Sequence, residues 1–422
     1  MNDVSALAEY LLNFSLPADE SRRMAQSPLK KTRVEILTVD GIALDCYINE
    51  YWTARQRQSS SIQEISYRAC FKPQLPRFFI RLLTKPGDIV YDPFAGRGTT
   101  PIEAAIMGRE VAANDINPLS KILTEPRLAP PTPEEVDIRL ASLTSDPSLK
   151  NEIDLSMFYH PQTEMELLTL RRYLQEERNT GREDRVDRWI RMVATNRLTG
   201  HSKGFFSVYT LPPNQAVSPE SQVKINRRLN QFPEYRDVKQ LIVKKTRQLL
   251  RRITNSERNN LLRASEKALF LENDAAATGA ITSDSISLTV TSPPFLDIVR
   301  YARDNWLRCW FNCLNISDIE NKITVTRTLE EWERKMAAVF RELYRITRPG
   351  GWVAFEVGEV RKGRIELEKS VLPLGLQCGF EAAGILINDQ RFTKTSNIWG
   401  VANNRSGTNS NRIVLFRKPP AS

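Results

Sequence analysis

An apolar segment that runs into a glycine-rich turn constrains the fold of this chain more than any other feature. Residues 88–100 read Asp-Ile-Val-Tyr-Asp-Pro-Phe-Ala-Gly-Arg-Gly-Thr-Thr, and residues 101–107 continue with the pattern of a helix. A strand, a glycine turn and a helix in this order let the backbone approach a ligand closely, because glycine has no side chain and accepts positive φ. The segment therefore predicts a ligand-binding turn at the carboxyl end of a strand.

The turn matches two nucleotide-binding patterns only in part. The dinucleotide pattern G-x-G-x-x-G needs a third glycine, and the phosphate loop needs Gly-Lys-Ser or Gly-Lys-Thr; neither is present. What remains is F-x-G-x-G with Asp92 just before it. A second apolar segment, 110–115, ends in Asp115, where a second-strand carboxylate accepts both hydroxyls of a ribose. Asp92 is a candidate for contact with the ammonium group of an amino acid.

A second strand end lies far along the chain, where Ser292-Pro293-Pro294-Phe295 follows the apolar run 286–291. Two consecutive prolines donate no backbone hydrogen bonds, so they end a strand and fix the direction of their carbonyls. This geometry suits a flat heterocycle with an exocyclic amine: the ring stacks on Phe295, and Ser292 and the Pro293 carbonyl accept the amine protons. Ser-Pro-Pro also occurs in linkers and ordinary turns, so the tetrapeptide alone does not decide the matter.

Apolar segments and helical patterns alternate around both motifs. Residues 332–346 have helical spacing, Pro-Gly-Gly at 349–351 breaks the pattern, and 352–357 and 411–416 are typical of buried strands. This alternation predicts an α/β fold with a doubly wound, Rossmann-like sheet. Ligands of such sheets bind at the carboxyl ends of strands, where the glycine turn, Asp115 and the double proline all fall.

Together, Asp-Pro-Phe-Ala-Gly-Arg-Gly-Thr-Thr (92–100), Asn-Asp-Ile-Asn-Pro (114–118) and Thr-Ser-Pro-Pro-Phe (291–295) resemble the motifs of DNA amino-methyltransferases that use S-adenosylmethionine. The resemblance covers residues 65–120 and 265–420, and the segment between them does not match the usual core of that family. A serine before the two prolines resembles the cytosine-N4 branch more than the adenine-N6 branch, which usually has Asp or Asn there.

The resemblance implies a site for S-adenosylmethionine as cofactor. Phe71 and Pro73 resemble the segment that lines the methionine end of the cofactor, and Asp274 resembles the acid that meets the adenine amine. The implied cofactor-binding residues are Phe71, Pro73, Asp92, Pro93, Phe94, Ala95, Gly96, Gly98, Thr99, Thr100, Asp115, Ile116 and Asp274. The implied catalytic residues are Ser292, Pro293, Pro294 and Phe295.

The length of 422 residues exceeds one ordinary domain and predicts an insertion or extension. We expect an N-terminal extension (1–60) without an assigned function, followed by the cofactor-binding half of a methyltransferase domain (61–125). A mostly helical, basic insertion (126–262) then precedes the catalytic half (263–422). Our hypothesis is that this insertion recognises the DNA target.

Positive charge is concentrated in the predicted insertion. The whole chain carries a net charge of +10, and residues 201–260 contain twelve Lys or Arg against four Asp or Glu. Such an excess attracts a polyanion and makes its binding depend on salt, so double-stranded DNA is the implied partner. A solvated helix face explains the basic segment 239–252 equally well, and the aromatic loop 199–213 either contacts DNA or packs on the core. The candidate DNA contacts are Lys203, Lys224, Arg227, Arg228, Lys244 and Lys245.

Several other functional classes are disfavoured by composition. Five cysteines without a C-x-x-C pair and two histidines do not make a zinc cluster, and scattered thiols suit a reducing compartment. No run approaches the ~20 apolar residues of a membrane helix, and the first residues lack the basic start of a signal peptide. We therefore expect a soluble, cytoplasmic protein without a metal.

The chemistry of an exocyclic amine sets the expected mechanism. Its lone pair is delocalised into the ring, so the site must hold the amine with the lone pair directed at the methyl donor, and transfer is direct, without a covalent enzyme intermediate. A cytosine paired in a duplex must be flipped out to be reached. Carbon-5 methylation would need a cysteine after a proline, and the chain contains no Pro-Cys.

Three rival interpretations stay open at this point. They are an adenine-N6 DNA methyltransferase, an RNA guanine-N2 methyltransferase and a noncatalytic DNA-binding module. The sequence does not fix the DNA recognition site, the presence of a cognate restriction endonuclease, or the oligomeric state.

Overall fold

A nine-stranded sheet forms the centre of the protein, and the short strands 359–360 and 365–366 form a separate hairpin. The computed structural model describes residues 3–16, 31–53, 59–67, 70–210, 216–294, 301–323, 326, 328–357, 359–360, 365–389 and 410–421. In chain order the strands are β1 (Arg33–Val39), β2 (Ile42–Asn49), β3 (Ile89–Asp92), β4 (Glu110–Asn114), β5 (Leu269–Leu271), β6 (Ile286–Thr291), β7 (Thr347–Val357), β8 (Glu359–Val360), β9 (Ile365–Glu366), β10 (Glu381–Asp389) and β11 (Ser410–Arg417).

The order of the strands in the sheet is β1-β2-β10-β11-β7-β6-β3-β4-β5. The strands from β7 to β5 are all parallel, whereas β11 is antiparallel to both of its neighbours and β1 is antiparallel to β2. From β3 the chain proceeds outward through β4 and β5, then crosses to the other side of β3 to form β6. The sheet therefore has a topological switch point between β3 and β6, where open α/β sheets bind ligands.

Helices precede, connect and follow these strands. They are α1 (Val4–Leu12), α2 (Gln74–Leu83), α3 (Thr99–Ile106), α4 (Leu119–Thr124), α5 (Pro133–Ala141), α6 (Pro161–Asn179), α7 (Arg185–Arg197), α8 (Pro219–Leu229), α9 (Val238–Leu250), α10 (Asn255–Lys267), α11 (Tyr301–Asp304), α12 (Trp306–Phe311), α13 (Ile316–Lys322), α14 (Leu329–Ile346) and α15 (Leu367–Gln377). Short 3-10 turns occur at Ser61–Gln63 and Glu125–Arg127.

Helices cover both faces of the sheet. On one face, Ile102 of α3 and Leu261 of α10 share a core with Val90 of β3. On the other face, Phe340 of α14 shares a second core with Tyr91, the neighbour of Val90. Successive side chains of a strand point to opposite faces, so β3 contributes to both cores. The prediction of a doubly wound α/β sheet is confirmed.

The strand that ends in the double proline is buried along its whole length. Its sequence, Ile-Ser-Leu-Thr-Val-Thr (286–291), alternates aliphatic and β-branched or small residues, which suit a parallel strand covered on both faces. The predicted helix at 332–346 and strand at 352–357 are found as α14 and β7, although β7 already begins at Thr347.

The sequence between the second and third strands of the parallel part forms the helices α4 to α10. Trp189 of α7 is fully buried, and its indole Nε1 donates to Thr246 Oγ1 of α9 at 3.0 Å. Trp189, Leu170 of α6 and Ile242 of α9 belong to the same core as α3 and β3. The helical region thus shares its core with one face of the sheet. Its role as a recognition unit stays a prediction.

The N-terminal residues extend the sheet, which sequence reasoning did not anticipate. The hairpin of β1 and β2 joins β10, since Cys46 lies opposite Ile385 in a parallel pairing. Leu7 and Leu11 of α1 are fully buried in the core that also holds Trp52.

Within the described ranges, no helix has the length and apolar character needed to cross a membrane. The same ranges contain no group of three or more His, Cys, Asp or Glu side chains arranged to bind a metal. All five cysteines are free thiols.

Asn388 of β10 joins the sheet to the segment after β2, and its replacement tests this junction. Its Oδ1 accepts from the backbone N–H of Tyr51 at 2.7 Å and of Trp52 at 3.2 Å. Asn388→Leu leaves two buried donors without acceptors, at about 1–3 kcal/mol each, so we expect a loss of ~2–4 kcal/mol in the free energy of unfolding. Urea denaturation measures this change in the free energy of unfolding. The exposed Thr38→Val variant serves as the control, and a loss for Asn388→Leu no larger than for this control would contradict the expectation.

Candidate active site

The two motifs that are far apart in sequence meet at one edge of the sheet. β3 pairs with β6, with Tyr91 opposite Thr289, so both strands end at the same level. At that level Thr291 Oγ1 donates to Asp92 Oδ1 at 2.6 Å. Thr100, at the start of α3, donates from Oγ1 to the carbonyl of Val290 at 3.1 Å. The glycine turn and the double proline are therefore neighbours across the switch point.

Asp92 is a buried acid without a basic partner. Its side chain is 1% exposed, and within the described ranges no Lys or Arg lies within ion-pair distance of it. Burial raises the pKa of Asp92 to about 7, against hydrogen bonds from Thr291, the Phe94 N–H and Thr100 that lower it. A buried carboxyl without a counter-charge is suited to pair with a cationic ligand group.

The glycine turn holds a conformation that few other residues adopt. Gly96 and Gly98 have φ of 52° and 75°, in the left-handed region. A Cβ on Gly98 would lie 2.3 Å from the side chain of Thr124, so a larger residue does not fit. The Ala95 N–H donates to the carbonyl of Asn114 at 3.0 Å, which fixes the turn to the end of β4.

Asp115, just beyond β4, fixes the turn from the other side. Its Oδ2 accepts from the Gly96 N–H at 2.8 Å, and its Oδ1 accepts from the Asn117 N–H at 2.9 Å. Burial raises the pKa of Asp115 to about 6, although these two hydrogen bonds lower it. Each carboxylate oxygen has a second lone pair, so the predicted contacts with ribose hydroxyls remain chemically available. Ile116 lies next to it and is partly buried.

Asn114 connects the turn to the end of β5. Its Nδ2 donates to the carbonyls of Pro93 at 3.1 Å and Asn273 at 2.9 Å, and its Oδ1 accepts from the Asn273 N–H. Asp274 thereby lies at the same edge of the sheet. It forms an ion pair with Lys335. Burial raises the pKa of Asp274, whereas the contact with Lys335 lowers it. The net result is a pKa below the usual value.

The segment before α2 lies against the glycine turn. Arg97, inside the turn, donates to the carbonyls of Ile65 at 2.7 Å and Phe71 at 3.3 Å. Pro73 is buried at the start of α2. The structure therefore brings Phe71 and Pro73 to the site where sequence comparison suggested them, although their contact with a cofactor stays a prediction.

Trp332 of α14 fixes the double-proline corner. Its indole Nε1 donates to the carbonyl of Pro294 at 3.0 Å. No donor within the described ranges contacts the carbonyl of Pro293, and Ser292 is partly exposed. The role of the Pro293 carbonyl as an acceptor for an amine stays a prediction. Phe295 lies outside the described residues.

Glu356 is a site residue that sequence reasoning missed. In the parallel pair of β6 and β7, Thr291 lies opposite Phe355, so Glu356 is next to Ser292. Glu356 is 8% exposed and accepts a hydrogen bond from Asn411 Nδ2, and the Ser292 side chain is close enough to lower its pKa. Burial raises the pKa of Glu356 to about 7. The sequence did contain one signal for this residue: Glu356 is the second-last residue of β7 and interrupts a run of apolar residues.

Five of the six predicted DNA contacts are exposed, namely Lys203, Lys224, Arg227, Arg228 and Lys244. Lys245 is different, because it is only 6% exposed. The structure corrects the assumption of a surface lysine: in α9 the spacing of Val238, Ile242, Lys245 and Leu249 places all four on the buried face.

The aromatic loop after α7 packs against the protein in its described part. Phe206 is fully buried and Phe205 is 7% exposed, so neither side chain presents a surface for DNA. The α8 segment that follows is attached to the segment that forms α11 and α12. There the Ala216 N–H donates to the carbonyl of Asp304 at 3.0 Å, and Trp306 Nε1 donates to that of Val217 at 3.1 Å.

Known proteins share the part of the chain that forms this site. A family model for N6/N4-type DNA methylases matches residues 4–123. The chain is 38% identical over 80 residues to the type II methyltransferase M.MvaI of Kocuria varians, and 37% identical over 62 residues to the type II methyltransferase M.MjaII of Methanocaldococcus jannaschii. The N-terminal part of the chain is therefore similar to N6/N4 DNA methylases.

The likeness to these DNA methylases is local. The matches cover 18% and 15% of this chain, and only 18% and 12% of the length of M.MvaI and M.MjaII. Among solved structures, an S-adenosylmethionine-dependent methyltransferase of Methanosarcina mazei matches 81% of this chain and 98% of its own at 11% identity and a TM-score of 0.33. TrmN of Thermus thermophilus matches 85% of this chain and 51% of its own at 12% identity and a TM-score of 0.31. At such scores neither structure informs the function of this protein.

Removing the charge of Asp92 tests the electrostatics of the site. Because burial raises its pKa from 3.8 to about 7, the folded state binds more protons than the unfolded state between these values. This residue therefore makes stability fall as the pH rises from 4 to 7. We expect Asp92→Asn to lose less stability over this range than the parent protein, as measured by urea denaturation at several pH values. The exposed Asp318→Asn variant is the control, and an Asp92→Asn profile equal to the parental one would refute this assignment.

Proposed function

We propose that this protein is a DNA methylase that transfers a methyl group from S-adenosylmethionine to the exocyclic N4 amine of a cytosine flipped out of duplex DNA. The hydrogen bond between Thr291 and Asp92 carries this proposal, because it places the glycine turn beside the motif suited to an amine. The similarity of residues 4–123 to N6/N4 DNA methylases supports it.

The residues at the glycine turn fit S-adenosylmethionine. Asp92 is a buried carboxyl without a cation and suits the ammonium group of the methionine part, while Asp115 offers two oxygens to ribose hydroxyls. The positive φ at Gly96 and Gly98 opens backbone to close approach. When bound, the cofactor supplies an electrophilic methyl group on a sulfonium.

The residues at the double-proline corner orient the target amine. An amine donates two protons, and Ser292 and the Pro293 carbonyl are the acceptors that we assign to them. A serine accepts best when its own proton points elsewhere. Glu356 receives that proton in its ionised form, which leaves the lone pairs of Ser292 for the amine. Holding the amine in this way directs the nitrogen lone pair at the methyl group.

Two parts of the protein bear on the identity of the substrate: the double-proline corner and the helical region. Ser292 favours cytosine-N4 through the family pattern, adenine-N6 is the alternative, and Phe295 is the proposed stacking surface for the flipped base. We propose that helices α5 to α9 recognise the DNA target, because α8 carries Lys224, Arg227 and Arg228, and because the residues before α8 bond to α11 and α12, which follow the double proline in the chain. A restriction endonuclease of the same system is the proposed further partner.

Identification of the product nucleoside tests the proposal directly. The protein is incubated with methyl-labelled S-adenosylmethionine and a mixed-sequence duplex, and the DNA is digested to nucleosides for mass spectrometry. We expect label in N4-methylcytosine and none with the Ser292→Ala variant. Label in N6-methyladenine would select the alternative, label on tRNA alone would indicate an RNA enzyme, and the absence of label from any nucleic acid would reject catalysis.

The role of Glu356 predicts a pH dependence of methyl transfer. The ionised carboxylate accepts from Ser292 more strongly than the neutral carboxyl, so we expect the single-turnover rate to rise as the pH increases through about 7. Glu356→Gln should lower the plateau about tenfold to a hundredfold, the equivalent of one hydrogen bond to a charged group.

A second variant separates Glu356 from Asp92, whose pKa also lies near 7. Asn411 donates to Glu356 and lowers its pKa, so Asn411→Ala should move the rise in rate to higher pH. A profile unchanged in Asn411→Ala and in Glu356→Gln would show that Glu356 does not position the serine.

A further inference from the structure

Three helices meet at the segment that precedes the glycine turn. Asn196 of α7 exchanges two hydrogen bonds with the backbone of Ser66, to its carbonyl at 2.8 Å and from its N–H at 3.3 Å. Arg308 of α12, which follows the double-proline corner, donates to the same carbonyl at 3.0 Å. Ser61 donates to the carbonyl of Leu249 in α9 at 2.7 Å. This junction links the helical region to both halves of the site.

Each of the three helices places one buried cation at the junction. Arg197 of α7 and Arg308 of α12 are 8% exposed, and Lys245 of α9 is 6% exposed. The guanidinium of Arg197 lies 4.0 Å from the centre of the Phe205 ring, and that of Arg308 lies 5.6 Å from the Tyr67 ring. We call Arg197, Lys245 and Arg308 the buried cation cluster.

The cluster has no carboxylate partner. In the part of the chain that the structure describes, no Asp or Glu forms an ion pair with any of its three members. The nearest acid that acts on Lys245 is Glu64, and both oxygens of Glu64 are bound by Arg251. Burial and the neighbouring cation lower the pKa of Lys245 to about 8 and that of Arg197 to about 10.

Several other buried charged side chains among the described residues have partners. Arg191, also in α7, pairs with Glu183 at 2.6 Å, and the buried Glu103 pairs with Arg77 at 2.5 Å. Arg127 uses all three side-chain nitrogens to donate to backbone carbonyls. By contrast, Nη1 of Arg197 and Nζ of Lys245 have no acceptor in the described residues.

The unbonded nitrogens of the cluster are not fully enclosed. Neither Nη1 of Arg197 nor Nζ of Lys245 is among the fully enclosed polar atoms without a partner in the described ranges. A buried charge without a partner is costly, and a cluster of three raises this cost further. Such a cluster is stable when an anion from outside completes it.

We propose that the buried cation cluster binds a phosphate group of the DNA backbone beside the flipped nucleotide. The proposal rests on the proposed function for the source of the phosphate, and on the cluster itself for the anion. Two guanidinium groups and an ammonium supply the fork-shaped and point-like donors that phosphates use. The phosphate joins α7, α9 and α12, so the helical region and the double-proline corner bind the same strand.

The anion part is tested with inorganic phosphate as the probe. Thermal unfolding of the full chain is followed at increasing phosphate, with potassium chloride at equal ionic strength as the reference. We expect a saturable rise in Tm for the parent protein and loss of most of it in Lys245→Met. Without phosphate, Lys245→Met should be at least as stable as the parent, because it removes a buried charge that has no partner.

Arg191→Met is the matched control, a buried arginine of α7 that already has a carboxylate partner. It should be less stable than the parent, since Glu183 loses its partner, but it should keep the response to phosphate. If Lys245→Met does not fold, Lys245→Gln replaces it. No saturable effect of phosphate on the parent protein would overturn the proposal.

The DNA part is tested by binding of a fluorescent mixed-sequence duplex at several salt concentrations. We expect Arg197→Met and Lys245→Met to raise the Kd about tenfold and to reduce the slope of log K against log salt by about one each, as for a lost phosphate contact. Arg191→Met should leave the slope unchanged. Stabilisation by phosphate with parental slopes in the cluster variants would assign the site to a free anion and overturn the DNA assignment. Reduced slopes in a protein that methylates no DNA would support the cluster and reject the proposed function.

Discussion

The parallel pairing of β3 with β6 is the interaction on which the rest of the structure depends. It places Asp92 and Thr291 side by side, and their hydrogen bond joins two segments that are 199 residues apart in sequence. All of the described site residues are arranged around this contact: the glycine turn and Asp115 on one side, and Ser292 and Glu356 on the other. A register shift of one residue would turn each of these side chains to the opposite face.

The site concentrates acids whose pKa values burial has raised. Asp92, Asp115 and Glu356 lie at the ends of β3, β4 and β7, and burial raises the pKa of each. The buried cation cluster shows the opposite effect, since burial lowers the pKa of Lys245 and Arg197. Both sets of groups are destabilising in the free protein. A bound group of opposite charge removes this free-energy cost at either set. Each set therefore favours ligands that carry such a group.

The sequence was sufficient to predict those parts of the site that consist of short, contiguous motifs. The glycine turn, the acid after β4 and the double proline are short motifs in which each residue type has a conformational or chemical reason, and alternation of strands and helices predicted the sheet. The sequence alone did not show which distant strands pair with each other. Glu356 became visible only when β7 was found next to β6, and Lys245 was assigned to the surface because the buried face of α9 is defined by its neighbours in space. The contribution of β1 and β2 to the sheet has the same explanation, since polar side chains interrupt their apolar pattern.

The long separation between β3 and β6 has a consequence for how the protein matures. Closing a loop of this length carries an entropic cost that only the completed tertiary core offsets, so the pairing forms late. While the ribosome is still making the helices, β3, β4 and the glycine turn already exist, but the strand that brings the catalytic corner does not. A nascent chain therefore carries the glycine turn without its partner strand, and the two motifs of the proposed site meet only once synthesis has passed the double proline.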